Sequence, residues 1–327
     1  MRITILGAGA WGTALAIALA ERHAVVLWGR EIVHLERLHQ EHENRRYLPG
    51  ISLPSTLTYQ ADLARACADS DLAIVAVPLA ALDGIMAQLV AERTDLPVLW
   101  ACKGIEIQSG RLPHQIVQTH IPHHQQWGVL SGPSFATEVA AGLPTALTLA
   151  SMSPLFSRTM SENLHSPRLR LYSCRDIVGV EVAGALKNVM AIASGLADGL
   201  ELGCNARAAL ITRGLAEMTR LGIALGGCQE TFMGLAGLGD LVLTCTSTLS
   251  RNYQVGQGLA QGVALDILLQ QLGHVAEGVP TTVAASMLAH QHGVDMPITD
   301  TVHGLLQGKL TASHAVAQLL ARQPRHE

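Results

Sequence analysis

The sequence predicts an α/β domain built on a doubly wound, mostly parallel sheet, followed by an all-α domain, with the division at 1–175 and 176–327. Three observations carry this expectation. Strand-like and helix-like runs alternate through the first half, the pattern of a parallel sheet covered by helices on both faces. Those strand runs are apolar throughout, as a sheet buried on both sides requires. Beyond about residue 176 few strand candidates remain and long helical patterns take over. At roughly 150 residues per domain, 327 residues also favour two domains over one.

The strand-like runs lie at 2–6, 24–29, 72–77, 97–101, 127–131 and 145–150, with helix-like runs between them such as 11–21, 61–68 and 79–91. The first of these invites another reading. Ile3 to Ala20 carries no charge and follows Met1-Arg2, in the manner of a signal peptide or a membrane span. Gly7, Gly9 and Gly12 interrupt its first half, however, and Ile3-Thr4-Ile5-Leu6 is rich in β-branched residues. Strand, glycine turn and helix describe it better. The polar stretch from Glu41 to Arg46 reads as a solvated loop. In the second half, helical patterns fall at 178–200, 206–222, 255–261, 264–273, 280–293 and 311–322. Asn205 is placed to cap the helix beginning near Ala206, and Arg213 and Glu217, four apart, are placed to pair within it.

Charged residues make up only 15% of the chain, against about 25% in a typical domain, while 49% are apolar. The shortfall points to much buried helix or a sizeable subunit interface, and away from disorder, which needs the opposite balance. A formal net charge of −4, with no Lys/Arg-rich block, argues against nucleic acid as a partner. Cys67, Cys102, Cys174, Cys204, Cys228 and Cys245 are scattered and form no C-x-x-C pair, as expected of reduced thiols in a cytoplasmic protein. His120-Ile121-Pro122-His123-His124, near His114, imitates a metal cluster. No carboxylate or cysteine accompanies it at ligand spacing, so it reads as a surface loop and no metal is expected.

Gly7-Ala8-Gly9-Ala10-Trp11-Gly12 is a G-x-G-x-x-G that follows a strand and opens a helix, the context that gives the motif meaning. Gly7 permits the tight turn, Gly9 lets the backbone approach a pyrophosphate, and Gly12 lets the helix pack against the sheet. The helix N-terminus offers free N–H groups to the phosphates. The first domain is thus expected to be a Rossmann-type dinucleotide-binding domain. After the second strand, where an acid usually holds the ribose hydroxyls of NAD, the chain has Trp28-Gly29-Arg30. Arg30 suits the extra phosphate of NADP, whereas Glu31, immediately after it, works against that choice. NADPH/NADP is the expected cofactor, with NADH/NAD as the alternative.

Lys187 lies within Val182-Ala183-Gly184-Ala185-Leu186-Lys187-Asn188-Val189-Met190-Ala191. Gly184, Lys187, Ala191 and Ser194 share a helical face, which sets a lysine on a strip of small residues with room for a ligand. Partial burial would lower its pKa toward the range useful for proton transfer. The pattern equally allows a lysine that reaches water or pairs with Glu181 or Asp198.

Four further segments carry polar groups on loops. Cys102-Lys103-Gly104 ends a strand, where doubly wound sheets bind ligands. Ser131-Gly132-Pro133-Ser134 follows a strand and can present N–H groups to an anion. Gly234-Leu235-Ala236-Gly237-Leu238-Gly239-Asp240 is a glycine-rich run closing on an acid, and Ser250-Arg251-Asn252 offers a cation beside an amide. Each also has a plain loop reading. Two lysines, an arginine and a nucleotide loop together suggest a small phosphorylated substrate.

These segments together resemble the bacterial-type NAD(P)-dependent glycerol-3-phosphate dehydrogenases over nearly the whole chain. The matching stretches are Gly7 to Thr13, Lys103-Gly104, Ser131 to Ala136, Lys187-Asn188-Val189, Asn205 to Met218, Gly237 to Thr246, Ser250-Arg251-Asn252 and Glu277-Gly278. The resemblance implies reduction of dihydroxyacetone phosphate to sn-glycerol 3-phosphate by hydride transfer, feeding glycerophospholipid synthesis. It implies that Lys187 is the proton-transfer residue, and that Lys103, Gly132, Ser134, Lys187, Asp240, Ser250, Arg251 and Asn252 hold the substrate. It places Ala10, Trp11, Arg30, Ala136, Val275 and Glu277 on the cofactor, with Lys103 and Arg251 able to touch both. A homodimer is implied by the resemblance alone. A reductase of the same architecture acting on a non-phosphorylated keto acid, and a nucleotide-binding regulator without turnover, are the competing readings.

Overall fold

Strand β1 (Arg2–Leu6) lies at the topological centre of an eight-stranded sheet, with Ile3, Ile5 and Leu6 fully buried. The computed structural model describes residues 1–121, 126–273 and 275–320. Beside β1, β2 (Ala24–Trp28) pairs Leu6 with Trp28, and the short β5 (Thr58–Gln60) follows on the same side. The chain then returns across β1 to lay down β6 (Leu72–Val75), β7 (Val98–Trp100), β8 (Trp127–Ser131), β9 (Thr145–Ala150) and β10 (Leu169–Cys174), giving the order β10-β9-β8-β7-β6-β1-β2-β5. All neighbours run parallel except β8 and β9. The reversal at β1 is the switch point beside which doubly wound sheets bind ligands.

The six apolar runs of the first half each become a strand. β5 and β10 carry no clear strand signal, for a physical reason: β5 has three residues, and β10 is an edge strand whose Arg170, Tyr172 and Ser173 are exposed, so it lacks the continuous apolar run of a buried strand. The stretch from Glu41 to Arg46 is not the solvated loop its composition suggests. β3 (Glu43–Asn44) pairs antiparallel with β4 (Leu48–Ser52), and Asn44 is fully buried. Its Nδ2 donates to the Ala8 carbonyl (3.1 Å) and to Thr13 Oγ1 (2.8 Å), and its Oδ1 accepts from the Tyr47 N–H (3.3 Å). A polar side chain survives full burial only when its hydrogen bonds are made, and Asn44 makes them to the glycine loop and the helix after it.

This sheet and its helices form one unit, Met1–Cys102 with Pro113–Ile177; Lys103–Leu112 belong with the chain from Val178 onward in a second. The second unit is built around the helix Ile177–Gly199, buried along nearly its whole length. By length and composition it could cross a membrane, but 94% of its most apolar window is buried inside the fold. Helices Gly203–Ala224, Arg251–Ala260, Gly278–Gln291 and Pro297–Leu306 are among those that supply its cover. The helix expected near Ala206 begins at Gly203, so Asn205 lies inside its first turn and caps nothing.

Glu217, offered by its spacing to Arg213, instead accepts the backbone N–H groups of Ile298 (2.7 Å) and Thr299 (3.2 Å) at the start of helix Pro297–Leu306. Those N–H groups have no partner within their own helix. Burial of the carboxylate raises its pKa from 4.5 to about 7, against the opposing pull of the two N–H groups. A raised pKa means the folded state favours the protonated acid. That contribution is complete below pH 4.5 and fades as the pH rises through about 7. Glu217→Gln should therefore abolish a fall in stability of up to about 3 kcal/mol across this window. Urea midpoints of both proteins from pH 5 to 8 test this, and equal pH slopes would refute it.

Candidate active site

In the first unit Gly7 sits at φ +125°, where a Cβ would also lie 2.5 Å from the Ala76 carbonyl oxygen. At Gly12 a Cβ would fall 1.9 Å from the Gly7 oxygen, so only glycine lets the helix come this close to the loop. Gly9 differs: a Cβ there would meet nothing within 4 Å. It is the N-cap of helix Ala10–Ala20, and no side chain caps that end. Open space, a glycine surface and uncapped N–H groups at Ala10 and Trp11 suit a dinucleotide pyrophosphate. Past β8, Gly132 turns with φ +137°, and Ser134 Oγ donates to its carbonyl (3.0 Å). Ala136 opens the helix Ala136–Ala140, which packs with Trp11 and Ala14 of the glycine-loop helix. Arg30 is exposed just beyond β2 and makes no hydrogen bond or ion pair among the described residues.

In the second unit one fully buried carboxylate holds two lysines. Asp240 Oδ2 accepts from Lys103 Nζ at 2.7 Å, and Asp240 Oδ1 accepts from Lys187 Nζ. Lys187 Nζ also donates to Thr244 Oγ1 (3.0 Å), whose own proton goes to the Asp240 backbone carbonyl (2.6 Å). An ammonium has three N–H groups, so one on Lys187 remains for a ligand. Desolvation lowers the Lys187 pKa to about 8; Asp240 pulls it back up, and Lys103 adds to the depression. Two cations on one carboxylate leave a net positive charge beside a lysine poised to gain or lose a proton near neutral pH. Of the two pairings weighed from the sequence, Asp198 is committed elsewhere, to Arg207 (2.6 Å) and Tyr253.

Asp240 reaches this place through a local feature that composition hid. The glycine-rich run is not an open loop but a π-turn, Leu235–Gly239, running directly into helix Asp240–Cys245. A Cβ on Gly237 would lie 2.1 Å from the Phe232 oxygen, so the glycine serves packing. The strip of small residues on the Lys187 face is itself packed: Ala191 and Ser194 are fully buried, and Ser194 Oγ donates to the Cys245 carbonyl (2.7 Å).

Ser250, Arg251 and Asn252 form a helix start. Ser250 Oγ accepts from the Tyr253 N–H (3.3 Å) as the N-cap of Arg251–Ala260. Arg251 is exposed on the first turn, with Glu277 as its electrostatic neighbour. Asn252 is buried: its Nδ2 donates to Asn188 Oδ1 (3.0 Å) and its Oδ1 accepts from the Gly278 N–H (2.9 Å). Val275 is half-exposed, and Glu277 is the N-cap residue of Gly278–Gln291. Thr244 and Asn188 escaped the sequence reading. Thr244 was reachable, since Asp240 and Thr244 are four apart on one helix. Among the histidines, His120 Nε2 meets Asp83 Oδ1 (3.0 Å); Pro122, His123 and His124 lie outside the described residues.

Residues 2–156 match the N-terminal region of NAD-dependent glycerol-3-phosphate dehydrogenase, and residues 176–317 match its C-terminal region. The chain belongs to this family. It is 54% identical to the glycerol-3-phosphate dehydrogenase [NAD(P)+] of Thiobacillus denitrificans, with all of both chains covered. It is 53% identical to that of Dechloromonas aromatica, covering all of this chain and 99% of the relative. The crystal structure of glycerol-3-phosphate dehydrogenase from Coxiella burnetii, 44% identical, matches with a TM-score of 0.93 over 98% of this chain and 99% of that one.

Proposed function

We propose that this chain is an NAD(P)-dependent sn-glycerol-3-phosphate dehydrogenase that reduces dihydroxyacetone phosphate to sn-glycerol 3-phosphate and so feeds glycerophospholipid synthesis. The observation that carries the reading is the Lys103–Asp240–Lys187 cluster, found in a chain whose full-length relatives are named for this reaction. The sheet unit is the dinucleotide-binding domain, with Gly7, Gly9, Ala10, Trp11, Gly12, Arg30 and Ala136 on the cofactor. Val275 and Glu277 are its cofactor contacts on the helical unit. The helical unit is the catalytic one. The enzyme works in the cytoplasm as a homodimer and prefers NADPH to NADH.

A nicotinamide dinucleotide held at the glycine loop would supply the hydride for the substrate carbonyl carbon. Protonated Lys187 donates its free N–H to the carbonyl oxygen and passes its proton there as the alkoxide forms. Asp240 and Thr244 fix the direction of the Lys187 amine. Lys103 adds positive charge where negative charge develops. Arg251, whose planar guanidinium suits a phosphate, holds the substrate phosphate with Ser250 and Asn252, and Gly132 and Ser134 are further substrate contacts.

Oxidation of NADPH by the purified protein with dihydroxyacetone phosphate tests this reading, run beside NADH and beside unphosphorylated dihydroxyacetone. Turnover that requires the phosphate is expected; equal rates without it would refute the substrate. Arg251→Ala should raise the KM for dihydroxyacetone phosphate by about 10²-fold, the worth of a lost charge-assisted phosphate contact, with a smaller change in kcat. An unchanged KM would remove Arg251 from the phosphate site.

A further inference from the structure

The residue that follows Arg30 poses an electrostatic problem for the cofactor reading. Glu31 stands where a carboxylate favours ribose hydroxyls and repels a 2′-phosphate. It is the N-cap residue of helix Ile32–Glu41, yet its side chain does not cap that helix. The carboxylate is drawn instead to Arg46, with Arg46 Nη1 3.0 Å from Glu31 Oε2. Arg46 is itself held in place. Its guanidinium carbon lies 4.9 Å from the centre of the Tyr47 ring, and that ring meets His34 edge-on at 5.4 Å. The turn that carries Arg46 is fastened to the glycine loop by buried Asn44, which accepts the Tyr47 N–H and donates to Ala8 and Thr13. Arg30 alone of this group has no partner among the described residues.

An exposed ion pair adds little to stability, because both charges are well hydrated and each side chain loses freedom in pairing. Its effect on a bound anion is different. A lone Glu31 carboxylate would cancel the charge of Arg30, whereas paired with Arg46 it leaves Arg30 uncompensated. We propose that Arg46 is a specificity-determining residue: it neutralises Glu31, so that Arg30 is left to bind a dinucleotide bearing a 2′-phosphate. The inference rests on the dinucleotide reading of the first unit given above.

Equilibrium binding of NADPH and NADH to the full-length protein, measured by titration calorimetry without substrate, tests it. Arg46→Ala should weaken NADPH by about tenfold and leave NADH within about twofold. Glu31→Gln in the Arg46→Ala background should restore most of the lost NADPH affinity, because the uncompensated carboxylate is then gone. Competition by 2′,5′-ADP and 5′-AMP gives the same contrast without the nicotinamide. Equal weakening of NADPH and NADH in Arg46→Ala would overturn the inference, as would an unchanged ratio or no recovery with Glu31→Gln. Protein that binds NADPH selectively through Arg46 but fails to turn over dihydroxyacetone phosphate would overturn the proposed reaction and leave this inference standing.

Discussion

Lys187→Ala should lower the rate of dihydroxyacetone phosphate reduction by about 10²–10⁴-fold, the usual worth of a general acid, while NADPH binding stays within a few-fold of wild type. The expectation follows from a single uncommitted N–H on a largely buried amine whose other bonds go to Asp240 and Thr244. The pH profile supplies a second signature. With its pKa lowered to about 8 by burial, Lys187 loses the proton it must donate as the pH rises past that value. Wild-type reduction should therefore decline on the alkaline side with a limb near 8, and glycerol 3-phosphate oxidation, which needs the free amine, should rise through the same limb. Lys187→Ala should lack the limb in both directions. Near-normal turnover in the variant would dismiss Lys187 as the acid.

Asp240→Asn should be damaging in two separable ways. It keeps the shape but removes the carboxylate that, among the described residues, bonds Lys103 and Lys187. Breaking a buried pair leaves its cations poorly compensated and costs about 3–5 kcal/mol, a fall that thermal unfolding will show. Lys187 can relieve part of this by releasing its proton, so the loss should be larger below pH 7 than above pH 8. Asp240 is also what pulls the Lys187 pKa upward against burial. In surviving folded enzyme the alkaline limb of reduction should therefore move below pH 8, and turnover should fall by about 10²-fold at neutral pH. A limb that stays in place would show that Asp240 does not tune Lys187.

What could be read in advance divides along a physical line. Local pattern carries information wherever one element decides the outcome. The apolar runs gave the strands because a sheet covered on both faces demands them, and the glycine loop spoke for itself because Gly7 and Gly12 each face a backbone oxygen that tolerates no Cβ. Lys187 stood out as a cation in an apolar helix, but the local pattern offered only Glu181 or Asp198 as its partner, and Asp240 as its orienting group came from the resemblance alone. Asp240 is 53 residues away, and only the folded chain joins them. The same limit hid Glu217, whose spacing advertised Arg213 while its hydrogen bonds go to a helix start 81 residues on. Asn44 was missed for the opposite reason. Its neighbours are polar, so nothing local distinguishes a buried pin from a solvated turn.

The helix Ile177–Gly199 carries a consequence for how this protein is made. Its apolar surface is shielded mainly by helices that begin at Gly203 or later. During synthesis, therefore, a segment with the length and apolarity of a membrane span leaves the ribosome before most of its shield exists. At about 5–20 residues per second the remaining chain takes several seconds to arrive, far longer than the microseconds of helix formation. For that interval the nascent chain presents a sticky, preformed rod to whatever is nearby. Chaperone demand and aggregation should then concentrate in chains stalled or truncated between Gly199 and Leu306, even though the finished enzyme hides this surface completely enough to lose all trace of the hazard.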